Sequence, residues 1–278
     1  MATPDPAIPD PLAPDPPAPG PPAPGSPAPG TPAGQRVRRP AFYAAQPGGW
    51  RDWWALLHPP YTAWHLSYVV IGACLAPHVR LTNLLATLLA FMAAVGLAAH
   101  ALDELNGRPL RTTIPSPALV AVAVTGLAVA VVVGAIGVDR VGAVLIPFLV
   151  AGPLLVLGYN LELVRGALHN DVGFGAAWGA FPVLTAYVGQ TGSLAWAAVI
   201  AAGGAMALSM AQRNLSTPAR LVRRRATSVE GMVRLSDGRV LPLDERTVLA
   251  PLERALAAAS WAIALLAASF AVARMTVP

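Results

Sequence analysis

"TNLLATLLAFMAAVGLAAHALDELNGRPLRTTIP", residues 82–115, is apolar from Leu88 to Ala99, then packs an acid pair, an amide and two arginines into one turn. A membrane-spanning helix needs about 20 mostly apolar residues. Residues 82–101 meet that length, so the polar turn falls where a spanning helix leaves the bilayer. The same test applied outward finds seven segments, at about 61–77, 82–101, 117–136, 141–158, 172–190, 194–212 and 255–273. The expectation is an all-α polytopic membrane protein.

The composition agrees. Of 278 residues, 55% are hydrophobic and only 12% charged, and the mean hydropathy is +0.56, which excludes a water-soluble globule with a charged surface. All 19 basic residues are arginine, so lysine-based nucleophiles, bases and phosphate loops are excluded. The single cysteine, Cys74, lies inside an apolar segment, so neither an intrachain disulfide nor a cysteine-rich metal site can form. Cytoplasmic loops carry an excess of arginine and lysine. With the N-terminus inside, 16 of the 19 arginines fall on the inner side, and only Arg80, Arg140 and Arg274 fall outside. Topology therefore accounts for the basic pI, and no nucleic-acid partner is expected. The location implied is the cell membrane, multi-pass, with the N-terminus cytoplasmic.

Residues 1–45 form a Pro/Ala/Gly-rich cytoplasmic tail in which PAPG recurs at Pro17, Pro22 and Pro27, a composition that builds no core and predicts disorder. Residues 46–278 form the transmembrane domain. Trp50, Trp53 and Trp54 with Arg51 mark an interfacial helix. The longest inner loop, 213–254, carries "MVRLSDGRVLPL", whose alternation around Asp237-Gly238 predicts a hairpin flap with a type I′ turn. "LDERTVLAPLERAL" then predicts a short amphipathic helix before the last span.

On a helix, His100, Asp103 and Glu104 stand at i, i+3 and i+4, so they share one face and can converge on one ligand. Carboxylate oxygens suit Mg²⁺, and Arg108 and Arg111 offer forked donors to phosphate. The alternative is that Asp103 or Glu104 pairs with Arg108 or Arg111 at the membrane surface and steers topology. Tyr159, Asn160 and Arg165 end the fourth span on the same inner side. Arg213, Asn214, Arg220 and Arg223 to Arg225 follow the sixth. Either they neutralise a phosphate or they supply inner-side charge. Asn170 or Asp171 is placed to cap the fifth span.

"HPPYTAWHLSYVVIGACLAP", "HALDELNGRPLRTTIPSPAL" and "LGYNLELVRGALHNDVGFGAAWGAFPVLTAYVGQTGSLAWAAVI" resemble, in that order, landmarks of the UbiA-type intramembrane prenyltransferase superfamily, and the third is closest to its quinone-biosynthetic branch. The resemblance covers about residues 55–225. It implies a ring of helices around a lipid-open cavity, where acidic motifs hold Mg²⁺ on a polyprenyl diphosphate. Matched by position, Asp103 stands as the central acid of the first motif, with His100, Gly107 and Ala99 where the family has two acids and an asparagine. Glu104 and Asn106 are the available substitutes. In place of the second motif, "SMAQRNLSTPARLVRRRATS" contains no acid.

The function implied is transfer of a prenyl or related lipid group from a polyprenyl (di)phosphate to an acceptor. Asp103 and Glu104 would hold one Mg²⁺, and His100, Asn106, Arg108, Arg111, Tyr159, Asn160, Arg165, Arg213 and Asn214 would bind substrate. The alternative is a non-catalytic relative that binds an isoprenoid lipid or scaffolds a membrane complex.

Overall fold

The computed structural model describes residues 48–276; the tail expected at 1–45 lies outside the described residues. In chain order the helices are α1 (Trp50–Leu56), α2 (Pro59–Cys74), α3 (Leu81–Leu105), α4 (Ser116–Val141), α5 (Ala143–Asn160), α6 (Asp171–Thr191), α7 (Trp196–Arg225) and α8 (Glu245–Thr276). A single helical turn, Leu163–Gly166, follows α5, and a two-stranded hairpin, β1 (Met232–Arg234) and β2 (Val240–Pro242), precedes α8. Each of the seven apolar segments lies largely within a helix. Five helices, α3, α4, α5, α6 and α8, are long and apolar enough to cross a membrane. The other two segments differ. The first is a 16-residue helix, and the sixth opens a 30-residue helix that runs on through Arg213 into Arg223–Arg225.

Local chemistry sets the ends. Pro59 and Pro60 open α2, where a missing N–H costs nothing. The Asn170 side chain accepts from Gly173 N at 2.8 Å and caps α6. Asp244 accepts from the Thr247 N–H and hydroxyl at 2.7 and 2.6 Å at the start of α8. The stretch expected to form a separate amphipathic helix is continuous with the last span, and Pro251 is accommodated inside α8.

The hairpin lies where the alternation places it, with Val233 opposite Leu241, but its turn is not type I′. Leu235 N donates to Arg239 O at 2.8 Å and Gly238 N to Leu235 O at 3.0 Å, and of the turn residues only Gly238 has positive φ (83°). This is a three-residue loop closed by a left-handed glycine. Asp237 instead accepts from Arg239 N at 3.0 Å, which holds it outside the left-handed region that a type I′ turn requires.

Helices α2, α6, α7 and α8 pack as one group, and α3, α4 and α5 as a second, joined where α3 meets α2 and where α3, α4 and α5 meet α6. Small residues permit the closest approaches. A Cβ at Gly179 of α6 would lie 2.5 Å from Ala205 O of α7, a distance no side chain can adopt. Gly203, on the same helix α7, has nothing within 4 Å of its Cβ position. Gly179→Ala is therefore expected to lower the melting temperature of the detergent-solubilised protein, whereas Gly203→Ala leaves it unchanged or raises it by the helix-propensity gain of about 1 kcal/mol. Equal effects of the two would contradict this packing.

Candidate functional site

The site begins with a loop. After α3 ends at Leu105, Gly107, Arg108 and Arg111 take positive φ (85°, 52° and 56°), turning the chain sharply before α4. The N–H groups of Gly107, Arg108 and Arg111 find backbone carbonyls, but among the described residues those of Leu110, Thr112 and Thr113 find none, so other groups must satisfy them. Two carboxylates do so. Glu104, fully buried, accepts from Leu110 N and Thr112 N at 2.9 Å each and from the Thr112 hydroxyl at 2.8 Å. Asp52, on α1, accepts from Thr113 N at 2.7 Å, the Thr113 hydroxyl at 2.6 Å and Gly48 N at 2.8 Å. Burial alone raises the Asp52 pKa, but the Thr113 hydroxyl and the Gly48 and Thr113 N–H groups outweigh it and hold the carboxyl below its usual range. Around this anchor Trp50, Trp53 and Trp54 stay exposed while Ala55 and Leu56 are buried.

Asp103 turns the other way. Neighbouring residues on a helix are about 100° apart, and with Glu104 taken by the loop, Asp103 faces a cavity of about 240 Å³. Two π-helical stretches shape its walls, Met92–Ala99 just before His100 and Ala176–Ala180 around Trp178. From the expected set, His100, Asp103, Tyr159, Asn160 and Arg213 line this cavity together. Asn106, exposed, reaches Asn160 O at 3.5 Å from outside. Glu104 does not join them. Arg108 donates to Ile114 O and, at 2.7 Å, to Ser116 Oγ, so it braces the loop, and Arg111, Arg165 and Asn214 are exposed away from the cavity.

The α7 wall is cationic. Arg213 donates to Asp171 Oδ1 at 2.8 Å and to the Tyr159 hydroxyl, with its guanidinium 5.7 Å from the Phe174 ring centroid. Arg223 makes a two-pronged pair with Glu253 of α8, and Arg220 reaches Thr217 Oγ1 at 3.4 Å. Arg220, Arg223 and Arg224 all line the cavity. Among the lining residues that the sequence does not single out are His58, Tyr61, His65, Gln212 and Glu253. The His58 and His100 rings meet in a tilted contact with centroids 4.4 Å apart, and His65 Nδ1 lies 2.9 Å from Trp178 O. One signal was available for Gln212. Gln212, Ser216, Arg220 and Arg223 recur at helical spacing, which reads as one face if the sixth helix continues past the apolar run. Of the four aromatics on α6, Phe174 and Trp178 line the cavity, whereas Tyr187 is buried against Ala76 and Ala198 elsewhere.

These residues do not fit a carboxylate-held Mg²⁺. Both Glu104 oxygens are committed to the loop, Glu253 is committed to Arg223, and among the described residues no group of three His, Cys, Asp or Glu can hold a metal ion. What the arrangement offers is anion binding by guanidinium groups. In comparisons with known proteins, no family model, curated protein or solved structure matches the chain.

Two outcomes follow from the loop. Glu104→Ala leaves the Leu110 and Thr112 N–H groups without acceptors and is expected to cost about 3 kcal/mol, read as a large fall in melting temperature. Asp52→Asn is milder and pH-dependent. Because the folded pKa is depressed, the carboxylate's contribution is complete above its unfolded value of about 3.8 and is lost as pH falls through the lower folded value. The melting-temperature gap between wild type and Asp52→Asn should therefore be full at neutral pH and close below about pH 4; a gap independent of pH would exclude the carboxylate as its cause.

Proposed function

We propose that this chain is a UbiA-like, seven-span protein of the cell membrane, with its N-terminus cytoplasmic, that binds the phosphate head of an isoprenoid lipid in the polar cavity. One observation carries this reading. The arginine-lined cavity and an apolar cleft of about 260 Å³ between α3, α4, α5 and α6 are both lined by Val95. A molecule with an anionic head and a long apolar chain matches that pairing. In the low-polarity surroundings of the helix ends, guanidinium groups bind phosphate through charge-assisted hydrogen bonds without a metal bridge. The order of the three landmark stretches supports the family reading.

A second reading, transfer of the prenyl or related lipid group to an acceptor, is favoured by Asp103. Its carboxylate shares the cavity with Tyr159, Trp178 and the arginines. Formation of a prenylated product from a polyprenyl diphosphate, lost in Asp103→Asn, would establish it.

Binding of geranylgeranyl phosphate to the full chain in detergent micelles tests the first reading. Arg220→Ala is expected to weaken it about tenfold through one lost charge-assisted contact, and Asp103→Asn to leave it equal or tighter by removing a like charge. Unchanged affinity in Arg220→Ala, or loss of binding in Asp103→Asn, would overturn the assignment of the phosphate to the arginine wall.

A further inference from the structure

The cavity contains more than cations. Gln212 is 3% exposed and lines the cavity, and its Oε1 is buried with no hydrogen-bond partner among the described residues. A buried amide oxygen left without a donor is costly, so its place on a cavity wall points to a donor supplied by what the cavity holds. The Asp103 carboxylate lies on the same cavity and, among the described residues, accepts no side-chain hydrogen bond. Arg220 and Arg224, which line the same cavity, are the opposite charges that act on it most strongly.

A bare phosphate or diphosphate does not match these walls. Near neutral pH its outer oxygens are almost all acceptors, which suits Arg220 and Arg224 but sets oxygen against the Gln212 carbonyl and the Asp103 carboxylate. A bridging cation would relieve that conflict, yet the carboxylates here do not fit one. Hydroxyl groups beside the phosphate relieve it directly, because each hydroxyl donates one hydrogen bond and accepts others. Arg213 is engaged by Asp171 and Tyr159 and Arg223 by Glu253, so these two fix the wall while Arg220 presents its charge to the phosphate.

We infer that the cavity selects a phosphate bearing neighbouring hydroxyl groups, a sugar or other polyol phosphate, with its phosphate on the arginines of α7 and its hydroxyls donating to Gln212 Oε1 and Asp103. This rests on the reading of the cavity as a phosphate site and adds the class of head group. The polyol phosphate is either the head of a lipid or a free sugar phosphate, and the two sources share this chemistry.

Three probes separate the possibilities in equilibrium titrations of the full chain in detergent micelles: geranylgeranyl phosphate, geranylgeranyl phosphoryl mannose and mannose 1-phosphate. The expected result is that the mannosyl lipid binds about tenfold more tightly than geranylgeranyl phosphate, and that Gln212→Met, of similar volume but without the acceptor, removes the difference. Gln212→Met should melt no lower than wild type, since it deletes an acceptor that is unsatisfied in the free protein. Asp103→Asn provides a second variant with the same expected loss of preference. Binding of mannose 1-phosphate as tight as that of the mannosyl lipid, with the same dependence on Gln212, would support the inference with a soluble ligand and overturn the isoprenoid reading. Equal affinity for the two lipids, or an equal effect of Gln212→Met on both, would overturn the inference and leave isoprenoid-phosphate binding standing. Binding of none of the three would overturn both.

Discussion

The Glu104 carboxylate is the constraint on which the site depends. The sharp turn after α3 leaves the Leu110, Thr112 and Thr113 N–H groups without backbone acceptors among the described residues, and buried donors must be met by other groups. Glu104 meets Leu110 and Thr112 together with the Thr112 hydroxyl, and Asp52 meets Thr113 from α1. The consequence reaches across α3. With Glu104 committed to the loop, the adjacent acid, Asp103, is the carboxylate that α3 presents to the cavity.

That division of labour sets the chemistry. Two neighbouring carboxylates facing one space favour a divalent cation, whereas one carboxylate facing arginines favours an anion that also carries donors. The α7 wall completes the arrangement because α7 does not stop where its apolar run stops. Its polar continuation brings Gln212, Arg213, Arg220 and Arg223 along one side, and Asp171, Tyr159 and Glu253 from three other helices tie down two of those arginines. The two guanidiniums held in place in this way fix the wall and add positive charge to it, against which Arg220 can receive an anion.

Much of this was legible in the sequence. Apolar length placed each of the seven segments largely within a helix but separated only five that are long and apolar enough to cross a membrane, because burial in hydrocarbon or in a helical core imposes the same composition. Tyr159, Asn160, His100, Asp103 and Arg213 were each marked by their position at helix ends, and they come together in one cavity. What failed was the assignment of faces. The positions i and i+3 or i+4 place His100, Asp103 and Glu104 within one broad arc, but which edge of that arc faces a ligand is decided by partners distant in sequence. Leu110 and Thr112 claim Glu104, and no local pattern announces a loop that folds back on its own helix. Arg108 was likewise read as a ligand arm from its charge, while its guanidinium braces Ile114 and Ser116. His58 and His65 escaped notice because isolated histidines on an apolar helix carry no spacing signal, and Gln212 because the sixth segment was read as ending there.

The central claim, that arginines rather than a carboxylate-held metal receive the phosphate, is tested most directly by ³¹P NMR of geranylgeranyl phosphate bound to the protein, recorded in EDTA and then with Mn²⁺ added. Arginine binding predicts a bound resonance in EDTA, with an affinity unchanged when Mg²⁺ replaces the chelator, and no more Mn²⁺ broadening than the free lipid shows. A bound resonance that appears only with a divalent cation, and that Mn²⁺ broadens away in wild type but not in Asp103→Asn, would contradict it.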